Sequence, residues 1–83
     1  MTDKDKFVTL VRLRDMVYFG VQPTLRQCGF PPEIVKALAK EGLLQIGDKK
    51  FGDELDRYFI EGIPRAGASF IMQQKALREQ LNQ

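Results

Sequence analysis

The chain has 83 residues, of which 43% are hydrophobic and 29% charged, a balance typical of a single folded domain, here spanning residues 1–83. Histidine is absent, which excludes Ser-His-Asp and Cys-His catalytic arrangements and most zinc sites, and the lone cysteine excludes an internal disulfide. From the polar first residues and the absence of a long apolar run we expect neither a signal peptide nor a membrane span, and a cytoplasmic location.

The first helix begins at a capping box. Thr2 and Asp5 have the required spacing, in which the hydroxyl accepts a free backbone N–H and the acid reaches back to the cap. Apolar residues then recur every three or four positions until Gly20, a residue that ends helices in the left-handed conformation. The pattern predicts a helix from Asp3 to Phe19, with the stripe Phe7, Leu10, Val11, Val17 and Tyr18.

Two further helices are indicated before residue 43. Thr24 and Gln27 repeat the capping-box spacing and predict a very short helix over residues 25–28. Pro32 suits the first position of the next helix, and Gly42 suits its end. This third helix is about ten residues long, and its buried stripe is Ile34, Val35 and Leu38.

The second half of the chain is more ambiguous. Residues 43–46 form a short apolar run followed by turn chemistry, which predicts a strand and a turn. Residues 53–61 fit either a helix capped by Asp53 or a returning strand at residues 58–60, and helical spacing favours the helix slightly. Gly62, Pro64 and Gly67 break the chain, and a last helix follows from Ser69 to Asn82.

The predicted fold is therefore mainly α, with four or five helices and at most a short two-stranded hairpin. Its core is expected to contain apolar residues from every element. These are Phe7, Leu10, Val11, Val17, Leu25, Ile34, Val35, Leu38, Leu43, Ile46, Leu55 and Phe59.

No pattern in the chain predicts catalysis, a cofactor or a metal site. Cys28 precedes a glycine at the end of a short helix, where a small buried hydrophobe is the favoured interpretation. The acidic cluster of Asp53, Glu54 and Asp56 lacks the ligand spacing of a calcium loop and is explained by helix capping. We therefore expect a protein that acts by binding rather than an enzyme.

The order of elements resembles bacterial winged-helix domains. Residues 24–30 stand where such domains place their second helix and turn, and residues 34–44 resemble a recognition helix running into the first wing strand. The resemblance implies a small helical domain of winged-helix or helix-turn-helix type over residues 3–66, followed by a C-terminal helix over residues 67–83. It also implies a DNA-binding protein, either a transcriptional regulator or an accessory factor.

The basic residues of this region are the candidate DNA contacts. Lys36 and Lys40 are four residues apart on the face opposite the buried stripe, where they are expected to reach the major groove. Lys49 and Lys50 lie in the turn and are expected to contact phosphates, and Arg26 to add a backbone contact.

The last helix suggests an assembly surface. Phe70, Gln74, Leu77 and Leu81 follow an approximate a/d spacing, which favours a homodimer that presents two recognition helices to two half-sites. The same stripe also fits docking on the domain's own core. The alternative function is a small helical adaptor or inhibitor that binds a protein partner through an apolar helix face, without nucleic acid.

Overall fold

Helices dominate the computed structural model, which describes the backbone of residues 2–81 and the side chains of residues 2–80. The elements in this range are α1 (Asp3–Tyr18), α2 (Pro32–Lys40), β1 (Gln45–Asp48), α3 (Glu54–Arg57), β2 (Tyr58–Gly62) and α4 (Arg65–Leu81). The two strands form an antiparallel pair. The expectation of a mainly helical chain with at most a two-stranded hairpin is thus confirmed over the described residues.

Local signals set both ends of α1. The Thr2 hydroxyl accepts a hydrogen bond from the Asp5 amide at 3.1 Å, and the Asp5 carboxylate accepts one from the Thr2 amide at 3.3 Å. The helix ends at Tyr18, one residue before the predicted end, and Gly20 has a φ of 81°. Tyr18, the last residue of the apolar stripe, is 83% exposed, while Val17 beside it packs partly against the core.

The predicted short helix at residues 25–28 is a single hydrogen-bonded turn instead. Thr24 and Gln27 do exchange the two capping bonds, at 3.1 and 3.3 Å. The segment extends no further because its backbone is also used by β2: the Leu25 amide donates to the Tyr58 carbonyl at 3.1 Å, and the Ile60 amide donates to the Pro23 carbonyl at 2.8 Å. An isolated bridge between Thr24 and Phe59 adds this segment to the edge of the hairpin.

The helix α2 has the predicted bounds. Pro32 occupies its first turn, and Gly42 follows its end with a φ of 78°. Val35 and Leu38 are fully buried and Ile34 packs partly against the core, so the predicted stripe faces inward. The opposite face carries Lys36 and Lys40 into solvent.

The slight preference for a helix over residues 53–61 is wrong beyond residue 57. Asp53 does cap a helix, since its carboxylate accepts from the Asp56 amide at 3.0 Å, but α3 is only one turn long. The chain then becomes extended, and β2 pairs with β1, with Ile60 opposite Ile46. Pairing on one side with β1 and on the other with residues 23–25 satisfies backbone groups that a longer helix would have taken internally.

The helix α4 begins at Arg65, four residues before the predicted start. Gly67 was predicted to break the chain, but it lies inside the first turns of the helix and is buried. A Cβ at this position would stand 2.9 Å from Ile63 Cγ2 and 3.0 Å from the Leu43 carbonyl carbon, and closer still to its oxygen. Glycine is therefore present for close packing of α4 on the chain before β1, and not as a helix stop.

The core lies between α1, α2, α4 and the hairpin. Of the predicted core, Leu10, Leu25, Val35 and Leu38 are buried, while most of the remainder is partly buried against them. Cys28 is buried too, as expected, and its Sγ lies 3.2 Å from the Leu25 carbonyl. The predicted core lacked four large apolar residues that are buried: Leu13, Leu44, Ile60 and Ile71.

Candidate nucleic-acid interface

The five basic residues predicted to contact DNA come from three segments. Lys36 and Lys40 are on α2, Arg26 is in the turn before it, and Lys49 and Lys50 are in the loop between β1 and β2, which we call the hairpin loop (residues 49–57). All five side chains are exposed. Their electrostatic environments differ sharply, because three acidic residues of the hairpin loop lie among them.

Lys36 is joined to the hairpin loop by an ion pair. Its ammonium contacts the Glu54 carboxylate, which belongs to α3. The contact places the loop beside the exposed face of α2. Lys40, one turn further along the same face, has no ion pair with any of residues 2–80.

Arg26 is held by two carboxylates. Its Nε donates to Asp56 Oδ1 at 2.9 Å, and its Nη2 lies 3.1 Å from Asp53 Oδ2. The hydrogen bond from Arg26 lowers the pKa of Asp56 below its usual value, and the same bond raises the pKa of Arg26. Because its charge is compensated locally, Arg26 is a weaker candidate for a phosphate contact than its sequence position suggested.

Another carboxylate, that of Asp48, holds the base of the hairpin loop. Asp48 accepts hydrogen bonds from Arg57 Nε at 2.7 Å, from Arg57 Nη2 at 2.9 Å and from the Lys50 amide at 2.7 Å. The bonds from Arg57, followed by that from Lys50, lower the pKa of Asp48 below its usual value. Asp48 and Arg57 therefore form a bidentate pair that closes the loop, with the Lys49 amide also donating to the Arg57 carbonyl at 3.0 Å.

The two lysines of the loop form no ion pair with an acidic side chain in the described part of the chain, but their charges act on Asp56 and Asp48 of the same hairpin. Lys49 Nζ stands 5.5 Å from the centroid of the Phe59 ring, a cation–π distance that keeps the charge exposed at the side of the hairpin. Lys50 has a φ of 61°, in the left-handed region that non-glycine residues rarely adopt.

The site therefore consists of two groups of cations. Lys40, Lys49 and Lys50 are unpaired within residues 2–80, whereas Lys36 and Arg26 surround α3 and are compensated by its acidic residues. The sequence showed four acidic side chains and one basic one in residues 51–62, but it did not show which cations they meet. It also gave no role to Asp48 and Arg57, whose pairing requires the two strands to be side by side.

The predicted assembly stripe of α4 is divided between core and surface. Phe70 is partly buried and packs against the domain's own core, and Gln74 is also partly buried. Leu77 is 51% exposed, and Met72, which is also exposed, lies on the opposite side of the helix from this stripe. The fourth predicted residue, Leu81, has a side chain outside the described residues.

A cavity of about 310 Å³ lies beside this stripe, lined by Gln74, Leu77, Arg78 and Gln80 among the described residues. The Arg78 guanidinium is 5.1 Å from the centroid of the Phe7 ring, where it connects α4 to the start of α1. Its charge therefore lies against α1.

No group of three or more His, Cys, Asp or Glu side chains within residues 2–80 is arranged to hold a metal ion. Within the part of the chain that the structure describes, none of the helices combines the length and apolar character that crossing a membrane requires.

Comparison with known proteins gives no relative from which a role can be transferred. No protein-family model matches the chain, and neither a curated protein nor a solved structure is significantly similar to it.

Proposed function

We propose that this chain is a domain of winged-helix type that binds duplex DNA, as a small transcriptional regulator or accessory factor acting without catalysis. In this proposal α2 is the recognition helix, the turn at residues 24–28 takes the place of the second helix, and the hairpin loop is the wing. The order of α1, turn, α2, β1, loop and β2 supports the assignment.

The observation that carries the proposal is the ion pair between Lys36 and Glu54. It joins the exposed face of α2 to the hairpin loop, so that one surface presents both a helix and a loop with basic residues. A helix of this kind fits the major groove, while the loop reaches the adjoining backbone. Lys40 then faces the groove, and Lys49 and Lys50 neutralise phosphates.

The acidic residues of the hairpin loop modify the roles of the other two cations. Lys36 and Arg26 enter the DNA interface only by exchanging a carboxylate for a phosphate or a base edge. Such an exchange yields less free energy than the neutralisation of a phosphate by a free cation, because an existing ion pair is lost. We therefore assign most of the salt-dependent affinity to Lys40, Lys49 and Lys50.

We also propose that the protein acts as a homodimer through the exposed part of α4. Leu77, a large apolar side chain of the predicted stripe, is half-exposed to solvent on this helix. Covering it with a second copy related by a two-fold axis would present two recognition helices to a pair of half-sites.

The test is binding of mixed-sequence duplex fragments, measured by gel shift and fluorescence anisotropy from low to moderate salt. We expect affinity to fall steeply with salt, and each phosphate contact removed to reduce the slope of log K against log salt by about 0.9. Lys49→Ala should weaken binding to all sequences, whereas Lys36→Ala should weaken preferred sites most. Lys75→Ala, which removes an exposed lysine of α4, is the matched control.

Two results would contradict the proposal. One is the absence of any shift at micromolar protein. The other is unchanged binding by the double variant Lys36→Ala, Lys40→Ala.

The second candidate function is a small adaptor or inhibitor that binds a protein partner through an apolar helix face. It is favoured by the exposed apolar residues Leu77 and Met72 on α4 and by Tyr18 and Phe19 at the end of α1, whose exposed rings contact each other edge to face at 5.5 Å between centroids. This function predicts no shift of DNA, and substitution of these apolar residues should then abolish capture of the partner.

A further inference from the structure

Phe51 is an exposed aromatic residue at the tip of the hairpin loop. Its side chain is 72% accessible to solvent and is not among the residues that pack on the core. It follows directly after Lys49 and Lys50, so the loop tip carries an apolar ring beside two positive charges.

The backbone around Phe51 is held in a defined and unusual conformation. The residues on either side, Lys50 and Gly52, have φ values of 61° and 90°, both in the left-handed region. The Lys50 amide donates to Asp48 Oδ1 at 2.7 Å, and Asp48 is itself held by the two bonds from Arg57. A non-glycine residue keeps such a φ only where its surroundings enforce it, which here means the Asp48–Arg57 pair at the base of the loop.

The loop thus holds the backbone that carries Phe51, while the side chain lies in solvent with no described contact. Burial of such a ring in a partner is favourable, and a backbone ordered beforehand reduces the entropy lost on binding. The partner must accept an apolar ring and neutralise two adjacent ammonium groups. A DNA duplex offers both, since the planes of its bases lie a few ångströms inside two rows of phosphates.

We propose that Phe51 is a wedge that enters the DNA minor groove and partly unstacks a base step, while Lys49 and Lys50 hold the flanking phosphates. This inference rests on the proposed function and adds a residue and a mode of contact to it. Inserted apolar side chains unstack the step and kink the duplex toward the major groove. At the wedged step the minor groove faces the loop, so the kink bends the flanking duplex away from the loop.

The proposal predicts a preference for flexible DNA. Pyrimidine–purine steps unstack most easily, and A·T-rich minor grooves also attract basic side chains. The favoured step is thus TA, even though no hydrogen bond from Phe51 reads the bases.

The test uses the full chain and an A·T-rich duplex that carries 2-aminopurine at a single TA step, with donor and acceptor dyes at the ends of a second, otherwise identical duplex. Wild-type protein should raise the 2-aminopurine fluorescence and shorten the distance between the dyes. Phe51→Ala should bind about tenfold more weakly, as expected for the loss of one aromatic–base contact, and should give neither signal. Phe51→Leu, which keeps an apolar wedge, should restore part of both.

Val21→Ala is the control, since Val21 is an apolar residue that is 49% exposed beyond the end of α1, outside the loop. It should leave affinity and both signals unchanged, and circular dichroism should show all variants to be folded. If wild-type protein binds no duplex, the proposed function fails and the wedge fails with it.

If wild-type protein binds but Phe51→Ala keeps the same affinity and signals, only the wedge is overturned. It is likewise overturned if Phe51→Ala loses binding to phosphatidylglycerol vesicles while its affinity for DNA is unchanged, because the loop tip then serves a membrane surface.

Discussion

The substitution Gly67→Ala separates local helix propensity from tertiary packing. Gly67 lies in the first turns of α4, where alanine is intrinsically favoured over glycine by about 1 kcal/mol. Helix propensity alone therefore predicts that the Gly67→Ala variant is more stable than the wild type.

The packing of α4 predicts the opposite sign. The added Cβ would stand 2.9 Å from Ile63 Cγ2 and 3.0 Å from the carbonyl carbon of Leu43, distances that real Cβ atoms hardly ever show. The Leu43 contact is with backbone, which cannot rotate away, so α4 must move from the chain before β1. Overpacking of this kind costs about 1–3 kcal/mol, which equals or exceeds the gain in propensity. We expect a net loss of about 1 kcal/mol, within the range given by these two terms.

Urea and thermal unfolding measure this difference. A loss of about 1 kcal/mol lowers the Tm of a domain of this size by about 4–8 °C. Gly62→Ala is the control, because a Cβ at Gly62 meets nothing within 4 Å; that variant should be neutral or stabilised by up to about 1 kcal/mol. A Gly67→Ala variant as stable as the wild type, or more stable, would refute the close approach of α4 to Leu43.

Three further predictions concern charge and assembly. Asp56→Asn releases Arg26 from its closest partner and should strengthen DNA binding and steepen its salt dependence. Glu79→Gln, which removes the same charge on α4, should have a smaller effect. Equal effects of the two substitutions would exclude a local role of the Arg26–Asp56 ion pair. The pKa of Asp48 is lowered in the folded state by Arg57, so its contribution to stability is present above the usual carboxyl pKa and disappears as pH falls through the lowered value. Asp48→Asn should therefore destabilise the protein in urea unfolding near neutral pH and have little effect once the pH is below the lowered pKa, and a penalty independent of pH would contradict this. Leu77→Glu should convert the proposed dimer into a monomer in light scattering; wild-type protein that is already monomeric at micromolar concentration, with and without DNA, would remove the dimer.

The sequence alone determined the helices that begin and end through contacts between near neighbours. Thr2 with Asp5 and Gly20 define α1, and Pro32 and Gly42 define α2, because capping bonds and left-handed stops involve residues only a few positions apart. The inward face of α2 followed as well, from its helical spacing. The exposure of Lys36 and Lys40 followed too, because these residues lie on the opposite side of the helix.

Only the tertiary structure decided the conformation of residues 58–62 and the role of Gly67. Residues 58–62 became a strand because β1 and residues 23–25 pair with both of its edges, and neither partner is a sequence neighbour. The role of Gly67 depended on a carbonyl group more than twenty residues earlier in the chain.

The same limit applies to the candidate site. The basic residues of α2 and the hairpin loop were recognised from their pattern, but their partners were not. That Glu54 meets Lys36, and that Asp53 and Asp56 meet Arg26, depends on where the hairpin places α3 relative to α2 and the preceding turn. The sequence shows how many charged side chains a segment carries, whereas the distance between two of them is set by the packing of the whole chain.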